Sequence, residues 1–103
     1  QVRKGWQYPP LAGQPSTFIV AVSDRHGDPV VDAEISGRFL RSSNSRDDFG
    51  FKMDEVAPGE YRTRVTMPLH GHWDLVLKVR RNDDLHEVRA STRVASVQSE
   101  TAL

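Results

Sequence analysis

Met67-Pro68-Leu69-His70-Gly71-His72-Trp73-Asp74-Leu75-Val76-Leu77-Lys78-Val79-Arg80 carries a turn, an aromatic anchor and the clearest strand of the chain. From Trp73 onward apolar side chains recur at every second position (Trp73, Leu75, Leu77, Val79), while Asp74, Lys78 and Arg80 fill most of the positions between. That is the period of a strand with one buried face. Outward from this stretch the same alternation repeats. Asn82-Asp83-Asp84 turns the chain into a last strand, where Val88, Ala90, Thr92 and Val94 oppose Glu87, Arg89, Ser91 and Arg93. Upstream, Tyr61, Thr63, Val65 and Met67 oppose Glu60, Arg62, Arg64 and Thr66, after the turn Pro58-Gly59. Phe49, Phe51 and Met53 alternate with Gly50, Lys52 and Asp54; Ala33, Ile35, Gly37 and Phe39 alternate with Glu34, Ser36 and Arg38. The polar run Ser42 to Asp48 closes that strand as a mobile loop.

Thr17-Phe18-Ile19-Val20-Ala21-Val22 is continuously apolar, as expected of a strand covered on both sides or lying at a sandwich edge. Residues 1–16, with Gly5, Pro9, Pro10, Gly13 and Pro15, read as a lead-in of extended and turn structure. The sandwich is expected over 17–95 and a frayed tail over 96–103. Short strands at near-regular spacing, without a window of helical period, predict an all-β, immunoglobulin-like antiparallel β-sandwich of about seven strands. The Tyr61 and Trp73 strands belong in opposite sheets, and the Trp73 strand pairs as a hairpin with the Val88 strand. Trp73 and Leu75 occupy places comparable to the tyrosine corner of such sandwiches. The predicted core is Phe18, Val20, Val22, Ile35, Phe39, Phe51, Tyr61, Val65, Trp73, Leu75, Leu77 and Val88.

Composition narrows function. One hundred and three residues suffice for one core without staples, and with no cysteine there are no disulfides, thiolate metal sites or thiol nucleophiles. Fourteen basic and fourteen acidic residues cancel, so the chain carries no general signal for nucleic acid. No apolar run approaches the ~20 residues of a membrane helix. No nucleophile elbow, paired acid and base, or phosphate-cradling loop occurs, and a non-enzymatic role is expected.

Two groups of residues are candidates for a site. His70 and His72 flank Gly71, with Met67 nearby, and imidazole plus thioether suits copper; the ordinary reading is exposed polar residues around a turn, with Met67 in the core by parity. His86 has the parity of Val88, at the edge of the core, and His26 sits in a turn. Lys78, Arg80, Arg89 and Arg93 share one sheet face if the last two strands pair, with Asp74 and Glu87 interspersed. That face suits an acidic protein or anionic lipid headgroups, against the ordinary reading of a solvated face with charges paired across strands.

Gly5-Trp6, Asp24 with Gly27-Asp28-Pro29-Val30 and Ala33, Gly59-Glu60-Tyr61, and Gly71-His72-Trp73-Asp74-Leu75 span nearly the whole chain. In this order and spacing they resemble the FixH family, the periplasmic domains of small membrane-anchored proteins associated with assembly of copper-containing respiratory oxidases in bacteria. Copper-handling sandwiches and YtkA-like domains share the layout. The resemblance implies a membrane helix ahead of Gln1, a place on the periplasmic side of the bacterial inner membrane, and membrane-protein partners engaged by contact. A copper carrier using His70 and His72 is the alternative. A third reading, by fold analogy, is a carbohydrate-binding sandwich with Trp6 or Tyr8 stacking on sugar rings.

Overall fold

The computed structural model describes residues 1–41 and 44–96. Eight strands run in chain order: β1 (Val2–Trp6), β2 (Pro15–Val22), β3 (Glu34–Leu40), β4 (Phe49–Lys52), β5 (Asp54–Ala57), β6 (Glu60–Thr66), β7 (Gly71–Arg81) and β8 (Asp84–Val94). They form two four-stranded antiparallel sheets, ordered β1-β2-β6-β5 and β4-β3-β7-β8. The apolar phases of both sheets meet in one core of Phe18, Val20, Val22, Ile35, Phe39, Tyr61, Val65, Trp73, Leu75 and Leu77, joined by Val30, Met53, Met67, Val79 and Val94. Phe51 and Val88, expected inside, pack half-buried against it. Tyr61 and Trp73 stand in opposite sheets and β7 pairs with β8 over eleven residue pairs, as the alternation requires.

Four local readings change. The lead-in is part of the sandwich: β1 pairs antiparallel with β2 over five residues, and Trp6 stacks on Phe39 of the other sheet at 5.7 Å. Trp6 Nε1 also donates to Thr92 Oγ1 at 3.0 Å. Trp6 is thus committed to packing rather than to a sugar platform. Tyr8 remains exposed. Second, β2 starts at Pro15 and lies between β1 and β6, so it is not an edge; its inward residues are buried, and Thr17, Ile19 and Ala21 are half-exposed. Third, the alternating run from Phe49 is two strands. β4 belongs to the second sheet and β5 to the first, and the chain crosses at Met53, whose N–H donates to Ile35 O at 2.9 Å. With β1, this brings the six runs read as strands to eight strands, where about seven were expected.

Fourth, the polar loop has order at its end. Asn44 accepts from Arg46 N and caps a 3₁₀ turn over Ser45–Asp47, and Asp48 Oδ1 accepts from Arg41 N at 2.7 Å. Ser42 and Ser43 lie outside the described residues, as does the expected tail apart from Ser96.

The corner role falls to Tyr61 rather than Trp73. The Tyr61 hydroxyl donates to Val30 O at 2.8 Å and accepts from Ala33 N at 3.0 Å, pinning the connection where the chain leaves β2 for the other sheet. Glu55 adds a second clasp: its carboxylate accepts from Asp32 N and from Gly59 N. Burial pushes the Tyr61 phenol above its ordinary value near 10. The unfolded phenol therefore deprotonates first as pH rises. Its stabilising contribution is complete below about pH 10 and is lost as pH climbs through the raised folded value. Tyr61→Phe, which orphans a buried carbonyl and a half-buried N–H, is expected to cost about 1–3 kcal/mol at neutral pH. In urea titrations the gap between wild type and variant should shrink at strongly alkaline pH.

Candidate interaction surface

On β7 the even residues His72 to Arg80 point away from the core, and on β8 the odd residues Leu85 to Arg93 do so. Directly opposed pairs are His72 with Arg93, Asp74 with Ser91, Val76 with Arg89, Lys78 with Glu87, and Arg80 with Leu85. Lys78, Arg80, Arg89 and Arg93 therefore do share one sheet face. The register of β3 and β4 brings two further cations onto it. Arg38 faces Val76 on one side and Gly50 on the other, while Lys52 faces Ser36, itself opposite Lys78. Glu34 lies opposite Arg80.

The outer face of the second sheet thus presents Arg38, Lys52, Lys78, Arg80, Arg89 and Arg93 against Glu34, Asp74 and Glu87. The whole chain has a formal net charge of zero. Balancing carboxylates such as Asp24, Asp28, Asp32 and Asp83 sit in the connections instead. Neutralisation within the face is uneven. Arg89 is held by Glu87 at 3.0 Å in a pair whose arginine is 72% exposed, so water screens it. Arg38, Lys52, Lys78, Arg80 and Arg93 have no ion-pair partner among the described residues. Arg38 and Lys52 escape a reading of the sequence because charges on separate strands become neighbours only through lateral pairing.

His70 and His72 both stand at the surface. His72 Nε2 is hydrogen-bonded to Asp74 Oδ1 at 3.0 Å on the outer face, and His70 is exposed. Met67, inward in β6 parity, is fully buried, which takes its thioether into the core. Among the described residues no group of three or more His, Asp or Glu could hold a metal ion. His86, expected at the core edge, is exposed and lines a cleft of about 680 Å³ between the sheets, floored by Val2, Val22, Val30, Val79 and Val88. Asp24 on the same rim serves its own turn. Its Oδ1 accepts from His26 N and Asp28 N, and the bond from Asp28 is the main cause of a carboxyl held below its ordinary value.

Two stacked antiparallel four-stranded sheets, one with a charged outer face, make this an all-β sandwich domain. The FixH family model matches residues 1–95, and the chain belongs to the FixH family. FixH proteins are generally membrane-associated with a periplasmic domain, and the family is not known as one of enzymes. No match was found among curated proteins. No helix among the described residues is long and apolar enough to cross a membrane.

Proposed function

We propose that this domain is a non-enzymatic, membrane-tethered periplasmic accessory domain for assembly of a copper-containing respiratory oxidase, acting by protein contact. It stands on the periplasmic side of the bacterial inner membrane and meets membrane-protein partners through the outer face of the β4-β3-β7-β8 sheet. The observation that carries this reading is the excess of cations on one sheet face of a chain with no net charge. Family membership supports the accessory role. A tether keeps the domain at high effective concentration beside a partner in the same membrane, so modest electrostatic contacts suffice. Charges of this kind act mainly on encounter and orientation, and like charge on the partner is rejected.

Copper carriage by His70 and His72 is the competing role, and one double variant separates the two. His70→Ala with His72→Ala leaves the core untouched, since both side chains are exposed. Cells carrying it are expected to assemble oxidase at the wild-type level, and calorimetry of the isolated domain with Cu(I) or Cu(II) is expected to give no stoichiometric sub-micromolar isotherm. Loss of assembly together with loss of such an isotherm would transfer the role to metal carriage.

A further inference from the structure

Four strands lie at sheet edges, and three of them are poor templates for pairing. β4 and β5 have only four residues each, and the register of β5 shifts between Glu55 and Ala57. β1 has five residues and carries Lys4 in its inward phase, opposite Val20. Short edges, bulges and inward charges are the usual guards against strand addition. β8 is long and has no bulge, and its one inward-phase charge, Asp84, stands at its first residue in the hairpin. It runs eleven residues without proline or glycine, and its register with β7 is unbroken.

The direction of its free hydrogen-bonding groups can be read from its end. Ala95 N donates to Pro10 O at 3.1 Å and Ala95 O accepts from Ala12 N at 2.9 Å, so the connection between β1 and β2 covers that end of the edge. Residues of the same parity (Leu85, Glu87, Arg89, Ser91 and Arg93) present N–H and C=O along the same open side. Among the described residues no other backbone segment bonds there.

We propose that this edge pairs antiparallel with β8 of a second copy, about a two-fold axis through Val88, joining two second sheets into one of eight strands. Only registers that oppose edge-facing residues satisfy both backbones. A two-fold axis at Arg89 sets that arginine against its own copy. An axis at Ala90 drives Leu85 against Ala95, whose N–H and C=O are already taken. With the axis at Val88, Glu87 meets Arg89 twice, Leu85 meets Ser91, and the half-buried Val88 meets its copy on the inner side. Opposite charges directly across an antiparallel pair are favourable, and the isologous geometry closes at two subunits. The Glu87–Arg89 pair seen within one strand becomes part of a four-membered network.

Sedimentation velocity of the 103-residue chain, from micromolar to near-millimolar concentration, tests the pairing. A reversible dimer is expected. Arg89→Pro removes an edge-facing N–H while leaving the β7 ladder intact, a position where proline is tolerated; it should be monomeric with near-native circular dichroism. Glu87→Arg, which sets like charges together without touching the backbone, should raise the dimer Kd about tenfold or more. Adding Arg89→Glu to it should restore dimerisation. A wild-type chain that stays monomeric throughout would overturn the proposal and leave the edge for a strand of another protein. Dimerisation of Arg89→Pro as strong as wild type, or failure of the charge swap to restore it, would overturn it equally.

Discussion

Trp73→Ala is expected to remove about 3–5 kcal/mol of folding stability, the range for a fully buried large aromatic. Trp73 is 0% exposed. Its ring meets Phe49 edge to face at 5.9 Å, its Nε1 donates to Leu69 O at 3.0 Å, and the Arg41 guanidinium lies 5.5 Å from the ring centroid. Truncation therefore opens a cavity, orphans a carbonyl in the turn before β7, and strips Arg41 of its stacking partner. For a small domain with a total of about 5–15 kcal/mol, that loss takes away much of the cooperative transition. Thermal melts followed by circular dichroism provide the check. A loss below about 1 kcal/mol would mean that β7 is not the centre of the core.

Gly59→Ala is expected to cost about 2–4 kcal/mol, from backbone strain and crowding together. Gly59 closes the β5–β6 hairpin at φ +76°, and a Cβ there would come within 2.6 Å of Pro29 Cβ and 3.0 Å of Val22 O. Its N–H and C=O are both engaged, by Glu55 and by Val22 N, so the turn cannot slide away. Gly27→Ala supplies the control. Gly27 has φ +84°, and a Cβ at that position would meet nothing within 4 Å, so the substitution isolates the conformational cost, about 1 kcal/mol. The two variants should separate clearly in urea midpoint. Equal losses would show that packing against Pro29 is not what restricts Gly59.

Parity makes most of the core legible, because exchanging the apolar phase of β6, β7 or β8 would expose the whole set at once. What parity does not reveal is which sheet a residue joins. Phe49, Phe51 and Met53 keep one alternation while the chain passes between sheets at Met53, and no sequence signal marks the crossing. β1 is hidden by the prolines and glycines around it and by Lys4 in its inward phase. The continuous apolar run of β2 suggests cover on both faces, yet Thr17, Ile19 and Ala21 stay half-exposed beneath no third layer. The hydroxyl clasp of Tyr61 depends on a carbonyl 31 residues upstream, which strand periodicity cannot bring into view. The candidate surface is legible for the hairpin cations and illegible for Arg38 and Lys52, whose neighbours are set by strand order.

The central claim, action by contact through one sheet face, is tested most directly by comparing two charge reversals, with the amount of assembled respiratory oxidase in cells as the readout. Arg38→Glu with Arg80→Glu alters the outer face of the second sheet while leaving β8 unchanged. Arg62→Glu with Arg64→Glu alters the outer face of the first, where Arg62 already pairs with Glu60. All four positions are exposed, so melting temperatures should barely move, within about 0.5 kcal/mol per substitution. Assembled oxidase is expected to fall about fivefold or more with the first pair and to hold at the wild-type level with the second, at equal abundance of the domain. Equal assembly in both strains, or a loss confined to the Arg62 and Arg64 variant, would contradict the account.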